Sequence, residues 1–288
     1  VKPTLTQKSQ PNYHQQIYEA LVLGVRDYVQ KNHFPGALIG LSGGIDSALT
    51  LAIAVDAIGA DKVEVILMPS RYTAEMSNSD AITMAQQLNV KHHIIGIEPL
   101  HSLFTSTLSP YFNNSDSNAD ENIQARIRGN ILMYHSNQNG KIVLTTGNKS
   151  ELAVGYCTLY GDMSGGFSVL KDILKTDVYK LAVYRNTISN CIPENIITRA
   201  PSAELREDQT DQDSLPPYAI LDGIIEHYVN QDKSMEFLIR EGYDKNTVNK
   251  IIKLIKKNEY KRRQAPIGIR ICDRAFGKDR RYPITSDF

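Results

Sequence analysis

Between residues 36 and 58 an apolar run ends in two glycines and then continues with a helical pattern, reading GALIGLSGGIDSALTLAIAVDAI. A strand that turns into a helix through glycines brings backbone N–H groups and the positive end of the helix dipole together, which makes an anion site. Gly43 and Gly44 would let the backbone approach a phosphate closely, and Ser42 and Ser47 add hydroxyl donors. The stretch therefore predicts a nucleotide-binding loop between a strand and a helix.

Asp46 is the residue of this loop that does not suit direct contact with a phosphate, because a carboxylate repels it. A divalent cation between the two groups removes the conflict, and Asp46 is then a magnesium (Mg²⁺) ligand. The alternative is that Asp46 and Ser47 only cap the helix. The five fixed residues of S-G-G-x-D-S, in a strand-to-helix context, favour the nucleotide-binding interpretation. A lysine of the G-x-x-x-x-G-K-[ST] kind is missing, which argues against an ordinary phosphoryl-transfer site.

Strand and helix patterns alternate along the first part of the chain. Helical spacing occurs at 13–31, 47–58 and 79–88, and strand-like runs begin at 36, 62, 91 and 141. Such alternation predicts an α/β fold with a doubly wound parallel sheet and with ligands at the carboxyl ends of its strands. A polar stretch at 113–120 predicts a loop before a helix at 121–135.

The pattern after about residue 177 is helical, which predicts a helical C-terminal extension. The chain shows neither an internal repeat nor a long linker. We therefore expect a single domain over 1–288, with an α/β core at about 13–190 and a helical part at about 191–288.

Charge and hydropathy exclude several classes of protein. The 32 basic and 32 acidic side chains cancel, so the chain has no general attraction to nucleic acid or anionic lipid. It contains no apolar run long enough for a membrane span and no signal-peptide core at its start, so we expect a cytoplasmic protein. The cysteines lack metal-ligand spacing and are expected to be reduced, structural thiols, with a catalytic cysteine as the alternative: Cys157, Cys191 and Cys272.

Four further polar stretches narrow the class of enzyme. They are ENIQARIRGN at 121–130, TTGNKSELAVGYCTLYGD at 145–162, LKDILKTDVYKL at 170–181 and NEYKRRQAPIGIRICDRAFGKDRRYPI at 258–284. Together with the glycine loop, they resemble the NAD synthetases of the ATP pyrophosphatase superfamily, over nearly the whole chain from about Tyr13 to Ile284. Details at 68–81, 160–166 and 274–284 resemble the synthetase domain of the glutamine-dependent type more than the short ammonia-dependent form.

The resemblance implies an adenine nucleotide alpha hydrolase-like sheet and a homodimer. The glutamine-dependent type carries an amino-terminal, nitrilase-like glutaminase domain. We expect that domain to be absent from this chain, whose start at Val1 instead of methionine indicates a fragment or a processed form.

The activity implied by the resemblance is the ATP-dependent amidation of deamido-NAD to NAD. It proceeds through an acyl adenylate, releases AMP and pyrophosphate, and takes ammonia, free or derived from glutamine, as the nitrogen donor. One alternative is another ATP pyrophosphatase-type amidotransferase such as a GMP synthetase. That family has its own carboxy-terminal dimerisation region, and the segment RAFGKDRRYPI of this chain does not resemble it. The other is a non-catalytic adenine-nucleotide-binding module, which would tolerate the loss of Asp46 or Glu151.

The resemblance also assigns residues to substrates. It implies that ATP is bound by Gly40, Leu41, Ser42, Gly43, Gly44, Ile45, Asp46, Ser47, Arg71, Thr146 and Lys175. It implies that deamido-NAD is bound by Asn122, Arg126, Glu151 and Lys261. Magnesium would be held by Asp46 and Glu151, and catalysis would depend on Asp46, Glu151 and Lys175.

Some of these residues have simpler alternatives or depart from the family pattern. The alternative for Glu151 is that it stabilises a helix N-terminus through the helix dipole. The alternative for Arg126 is a surface ion pair, and the alternative for Lys175 is a solvated side chain. Leu159 stands where the short form has a lysine, and Gly166 where it has an aspartate, so deamido-NAD contacts around 159–166 must be built differently.

Two charged segments remain. ELREDQTDQDSLPP at 204–217 is expected to be either a solvated loop or a lid that orders over bound substrates and keeps water off the adenylate. A basic excess at 256–281 comes with few aromatic residues, so it favours docking of a dinucleotide or a partner subunit over RNA binding.

Overall fold

The computed structural model describes residues 12–112, 117–277 and 279–285. Its α-helices are α1 (Tyr13–Lys31), α2 (Ile45–Ile58), α3 (Glu75–Gln87), α4 (Glu98–Leu108), α5 (Ser117–Asn139), α6 (Lys149–Val154), α7 (Lys175–Ile188), α8 (Glu194–Thr198), α9 (Tyr218–Ile225), α10 (Met235–Arg240), α11 (Lys245–Lys257) and α12 (Glu259–Arg262). Its strands are β1 (Ala37–Gly40), β2 (Val63–Leu67), β3 (Lys91–Ile94), β4 (Ile142–Thr145) and β5 (Phe167–Ser168).

The strands form one parallel sheet in the order β3-β2-β1-β4-β5, which confirms the predicted α/β fold class. The chain winds outwards from β1 to β3, then returns to place β4 on the other side of β1. The order therefore reverses between β1 and β4, and in open α/β sheets ligands bind in the crevice at such a reversal. The two-residue strand β5 was not predicted, because so short a run has no periodicity to detect.

Helices α1, α2 and α7 cover one face of the sheet. α1 spans the predicted range 13–31, and it buries Leu21, Val25 and Val29 at helical spacing. Asn12 caps it by accepting a hydrogen bond from the backbone of His14 at 3.2 Å. α2 is buried on nearly all sides because it lies between α1, α7 and the sheet, which explains its almost uninterrupted apolar sequence.

Helix α5 covers the other face, where Leu132 packs against Leu38, Ile66 and Val143. Of the loop predicted at 113–120, residues 113–116 lie outside the described residues. The prediction is wrong for 117–120, which already belong to α5. Serine, asparagine and aspartate are as suitable for the first turn of a helix as for a loop, so polarity alone misplaced this boundary.

Helices α9 to α12 confirm the predicted helical C-terminal extension, and they enclose a second apolar cluster that includes Leu221, Ile224 and Ile251. Val154 at the end of α6 belongs to the same cluster, so the helical part packs directly on the helix that follows β4. The proposed boundary near residue 190 stays a prediction. Within the described residues no helix is both long and apolar enough to cross a lipid bilayer.

Candidate active site

A cavity of about 660 Å³ opens where the loop after β1 faces the loop after β4. It thus lies at the reversal of strand order that the topology singles out. The structure brings together at this cavity most of the residues assigned from the sequence, namely Gly40, Leu41, Ser42, Gly43, Gly44, Ile45, Asp46, Ser47, Asn122, Thr146, Glu151, Lys175 and Lys261. Arg71 and Arg126 are not among the lining residues.

The two glycines of the loop have different structural roles. Gly43 has a φ of +80°, and a Cβ atom there would lie 2.2 Å from the carbonyl oxygen of Ser77. Gly44 has ordinary backbone angles and is the N-cap residue of α2, without a side-chain cap. Ser47 holds the turn by donating to the carbonyl oxygen of Gly44 at 2.9 Å and accepting from the backbone of Ser42 at 3.3 Å. The helix start is therefore fixed by Ser47 and the glycines, which leaves the Asp46 side chain for another contact.

Asp46, Glu151 and Lys175 converge beside this loop from three different helices. Nζ of Lys175 lies 2.5 Å from Oδ2 of Asp46 and 3.3 Å from Oε1 of Glu151. The lysine side chain is 4% exposed, whereas the two acidic side chains are 16% and 17% exposed. The solvated alternative for Lys175 is therefore wrong, since a buried ammonium lies between two carboxylates that face the cavity.

Asn148 and Glu151 form a capping box at the start of α6, with each side chain accepting from the other residue's backbone N–H. Glu151 thus stabilises the start of α6, as the alternative interpretation expects, and it also contacts Lys175. Asn148 also donates from Nδ2 to Oδ1 of Asp46 at 2.8 Å. Asn148 therefore positions both acids, because it caps the helix that carries Glu151 and donates a hydrogen bond to the carboxylate of Asp46.

The position of Lys175 depends on the helical extension. Its backbone N–H donates to the hydroxyl of Ser150 at 2.9 Å, and that hydroxyl donates to Asp222 of α9 at 2.5 Å. The second carboxylate oxygen of Asp222 accepts from the backbone of Thr176 at 2.8 Å. The ring of Tyr218 lies 5.4 Å from the ammonium. Residues of α6 and α9 therefore hold the first turn of α7 against the cavity.

The donor atoms of this group suit a divalent cation. Burial raises the pKa of the Glu151 carboxyl, and the positive charge of Lys175 opposes this shift. Burial also opposes the charged form of Lys175, but the carboxylates of Asp46 and Glu151 outweigh it and hold the pKa of the ammonium above its ordinary value. Carboxylate oxygens are the donors that Mg²⁺ prefers, so the two acids fit the magnesium ion that the sequence predicts.

A second group of polar residues lies on the α5 side of the cavity. The hydroxyl of Thr158 donates to Oδ1 of Asn122 at 2.7 Å, and the backbone of Thr158 donates to Asp162 at 2.6 Å. Burial raises the pKa of Asp162 to about 6. Lys261 donates to the carbonyl oxygens of Gly155 and Cys157 at 2.8 and 2.7 Å. The loop at 155–162 is therefore fixed by side chains from α5 and α12.

The two arginines outside the cavity have partners of their own. Nε of Arg126 donates to the carbonyl oxygen of Leu159 at 3.2 Å. Arg71 is exposed and forms an ion pair with Glu98 of α4. Their assigned contacts with deamido-NAD and ATP stay predictions.

Several charged residues that line the cavity were not assigned from the sequence, and they are Glu121, Arg128, Asp162, Arg199, Glu204 and Asp211. Asp211 is 3% exposed and accepts from the hydroxyl of Tyr218 at 2.7 Å. It belongs to the segment 204–217, whose Leu215 is also buried, so the solvated-loop expectation is wrong for these residues. The acids clustered along 204–217 gave no sequence signal that separates Glu204 and Asp211, which line the cavity, from the others. Arg128 was detectable, because it lies one helical turn before Leu132 and six residues after Asn122.

A parallel sheet whose first strand ends in a glycine loop, with an acidic pair and a lysine at its topological switch point, defines a nucleotide-binding α/β protein. A family model described as NAD synthase matches residues 17–265. The chain belongs to the NAD synthase family, which confirms the resemblance found in the sequence.

Individual relatives agree with this assignment. The chain is 57% identical over 274 residues to the glutamine-dependent NAD(+) synthetase of Acinetobacter baylyi, covering 94% of this chain and 51% of that relative. The solved structure of glutamine-dependent NAD+ synthetase from Acinetobacter baumannii in complex with ADP has a TM-score of 0.66 and 50% identity, over 96% of this chain and 51% of that chain. The structure of NMN synthetase from Francisella tularensis has a TM-score of 0.74 and 26% identity, over 87% of this chain and 96% of that chain. The chain spans about half the length of the curated relatives it matches.

Proposed function

We propose that this chain catalyses the ATP-dependent amidation of deamido-NAD to NAD, with release of AMP and pyrophosphate. The observation that carries the proposal is the convergence of Asp46, Glu151 and Lys175 beside the glycine loop. Membership of the NAD synthase family and the names of the most similar relatives support it.

In the first step, the nicotinate carboxylate of deamido-NAD attacks the α-phosphorus of ATP, and pyrophosphate leaves. This step brings an anion onto a polyphosphate, so positive charge must be present before attack is possible. Lys175 supplies that charge, and the N–H groups at the start of α2 receive the pyrophosphate. Asp46 and Glu151 would hold Mg²⁺, which when bound neutralises phosphate charge.

In the second step, ammonia attacks the acyl carbon of the adenylate and AMP leaves. Water competes with ammonia, so the site must exclude it. A hydrogen bond of 2.6 Å from Ser77, whose carbonyl oxygen lies beside Gly43, to Glu204 supports such a role for the segment 204–217. We propose that the segment is a lid over bound substrates.

Deamido-NAD is proposed to bind along α5 and the loop at 155–162, in contact with Asn122, Glu151 and Lys261. The proposed roles of Arg126 and Arg71 follow the same family pattern. Ammonia is the direct nitrogen donor, and the name of the glutamine-dependent relatives supports glutamine, through a separate glutaminase domain, as its source.

We propose that the chain forms a homodimer. Apolar side chains are exposed on α4 and in the turns after it, with Leu103 at 62%, Tyr111 at 77% and Phe112 at 66%. Exposed large apolar side chains that are close together in the sequence support an interface on this part of the molecule.

The proposal is tested by incubating the chain with ATP, Mg²⁺, ammonium and deamido-NAD and measuring NAD and AMP together. Equal amounts of the two products support the proposal. Parallel reactions replace deamido-NAD with nicotinate mononucleotide, because one similar structure is an NMN synthetase, or with xanthosine monophosphate, the acceptor of a GMP synthetase. AMP formed only with one of these substitutes would reassign the acceptor, and a chain that binds ATP without forming AMP would be a nucleotide-binding module.

A further inference from the structure

Arg128 lies on the face of α5 that lines the cavity. The residues of that face recur at helical spacing, namely Asn118, Glu121, Asn122, Ala125, Arg128, Gly129 and Leu132. Gly129 brings this face close to the neighbouring loop, because a Cβ atom there would lie 2.9 Å from the carbonyl oxygen of Gly161. Arg126 falls between these positions and points to the Leu159 carbonyl instead.

The guanidinium of Arg128 is incompletely paired. Nε donates to the carbonyl oxygen of Met68 at 3.0 Å, and this is the hydrogen bond that the described residues give the side chain. No carboxylate of the described residues forms an ion pair with it, although Glu204 is close enough to favour its charge. Burial lowers the pKa of Arg128 to about 10. A half-buried guanidinium with free donors at a cavity is typical of a ligand-binding group, because burying it without acceptors is unfavourable.

Two apolar side chains lie in the part of the cavity that Arg128 lines. Met68 and Leu132 line the cavity beside Gly40, where a Cβ atom would lie 3.2 Å from each of these two side chains. The proposed phosphate-binding groups are elsewhere, at the turn of residues 42–47 and at Lys175. A flat aromatic base with acceptor atoms on its edge fits a surface of this kind better than a phosphate does.

We propose that Arg128 binds the adenosine portion of ATP, donating from its guanidinium to acceptor atoms of the base or ribose while Met68 and Leu132 contact the base. The inference rests on the proposed function, since it takes ATP to be the nucleotide. It gives the nucleoside and the polyphosphate separate binding groups, because the proposed phosphate-binding groups are the turn of residues 42–47 and Lys175.

The test compares Arg128→Met and Arg128→Lys with the unchanged chain. Arg128→Met is expected to raise the KM for ATP and the inhibition constant of AMP by roughly 10- to 100-fold, the effect of losing hydrogen bonds from a charged donor. The inhibition constant of pyrophosphate and the KM for deamido-NAD stay unchanged. Arg128→Lys gives a smaller change in the same direction, because lysine keeps the charge but not the planar fork. Arg240→Met, an exposed arginine at the end of α10, is the matched control.

An unchanged KM for ATP would overturn the inference, and so would a parallel loss of AMP and pyrophosphate inhibition, which would place Arg128 at the phosphates. A purely structural role, in which Arg128 only braces Met68, would lower kcat and the melting temperature without separating AMP from pyrophosphate. Equilibrium dialysis of ATP distinguishes failure of the inference from failure of the proposed function. If the unchanged chain makes no NAD but binds ATP more tightly than Arg128→Met does, the inference about Arg128 stands and the proposed reaction is wrong.

Discussion

Nζ of Lys175 and Oδ2 of Asp46 are 2.5 Å apart, although 129 residues separate them in the chain. The two residues occupy the first turns of α7 and α2, so the contact joins two helix starts across the switch point. If Lys175 binds ATP as proposed, it exchanges part of this contact for a phosphate. The pair is therefore expected to be the most sensitive point of the site.

Lys175→Met is expected to lower kcat for NAD formation by about 10²- to 10³-fold, because the pyrophosphate leaves without its buried positive charge. Two carboxylates are also left facing each other without the ammonium between them. Lys180→Met is the matched control, since Lys180 lies on the same helix, is 55% exposed and pairs only with Asp177 among the described residues. Steady-state rates of both variants, together with their melting temperatures, check the prediction. Full activity in Lys175→Met would contradict it.

Gly43→Ala is expected to lower the free energy of unfolding by about 3 kcal/mol, because it combines a strained positive φ with a clash against Ser77. Gly44→Ala places its new methyl group 3.3 Å from the Ser42 hydroxyl at ordinary backbone angles, and we expect a loss below about 1 kcal/mol. Urea unfolding of the two variants measures the difference. Equal losses would show that the adjacent glycines are interchangeable.

The carboxylate of Glu64, on β2, is 2% exposed and is surrounded by cationic and imidazole groups that donate to it: Lys91, His93, His135 and Lys141. Burial raises the pKa of Glu64, but these hydrogen bonds outweigh it and hold the pKa well below its ordinary value. A depressed pKa contributes stability above the unfolded-state value of about 4.3, and this contribution is lost as the pH falls further.

Glu64→Gln is therefore expected to cost about 2 kcal/mol of unfolding free energy at pH 7, since it removes the buried counter-charge of the partly buried Lys141 and His135. Unfolding curves at several pH values check this, and the variant loses less stability than the unchanged chain between pH 5 and 3. Glu98→Gln breaks an exposed ion pair with Arg71 and is expected to cost less than about 1 kcal/mol. Equal costs for the two substitutions would show that the buried network contributes no more than a surface pair.

The lid proposal predicts protection from trypsin. Arg206 is 43% exposed and pairs with Asp213 at 2.5 Å and with Glu121 at 3.4 Å. Cleavage after Arg206 is expected to slow when ATP and deamido-NAD are both bound, because a closed segment presents less extended backbone to the protease. Cleavage after the exposed Lys233, in the connection before α10, serves as the internal control. Unchanged cleavage after Arg206 would rule out the lid.

The proposed dimer predicts that a charge on α4 dissociates it. Leu103→Lys is expected to shift the chain from dimer to monomer in light scattering after gel filtration, because an unpaired ammonium is costly in an apolar interface. Leu23→Lys on α1 changes a side chain of similar exposure, 55%, on the opposite face of the sheet. A monomeric unchanged chain, or a dimer that survives Leu103→Lys, would contradict the proposed interface.

The sequence was most informative where pattern and chemistry coincide. The range of α1 and the strand-loop-helix unit around Gly43 follow from local periodicity and glycine chemistry, so they were predictable. β5 was not, because its two residues are defined only by pairing with β4. Asp211 was missed since its burial depends on a hydrogen bond from Tyr218, and no local signal separates it from its exposed neighbours. Long-range contacts of this kind determine which residues form the site, but they leave no periodic pattern in the sequence.

The hydrogen bonds from Ser150 and Thr176 to Asp222 also bear on how the protein is made. During synthesis the glycine loop and the sheet leave the ribosome well before α9 does. Until α9 arrives, the first turn of α7 lacks the carboxylate that anchors it, and Lys175 has no fixed place beside Asp46. Under the proposed function, a nascent or truncated chain that lacks α9 is therefore expected to form the sheet before its site is complete.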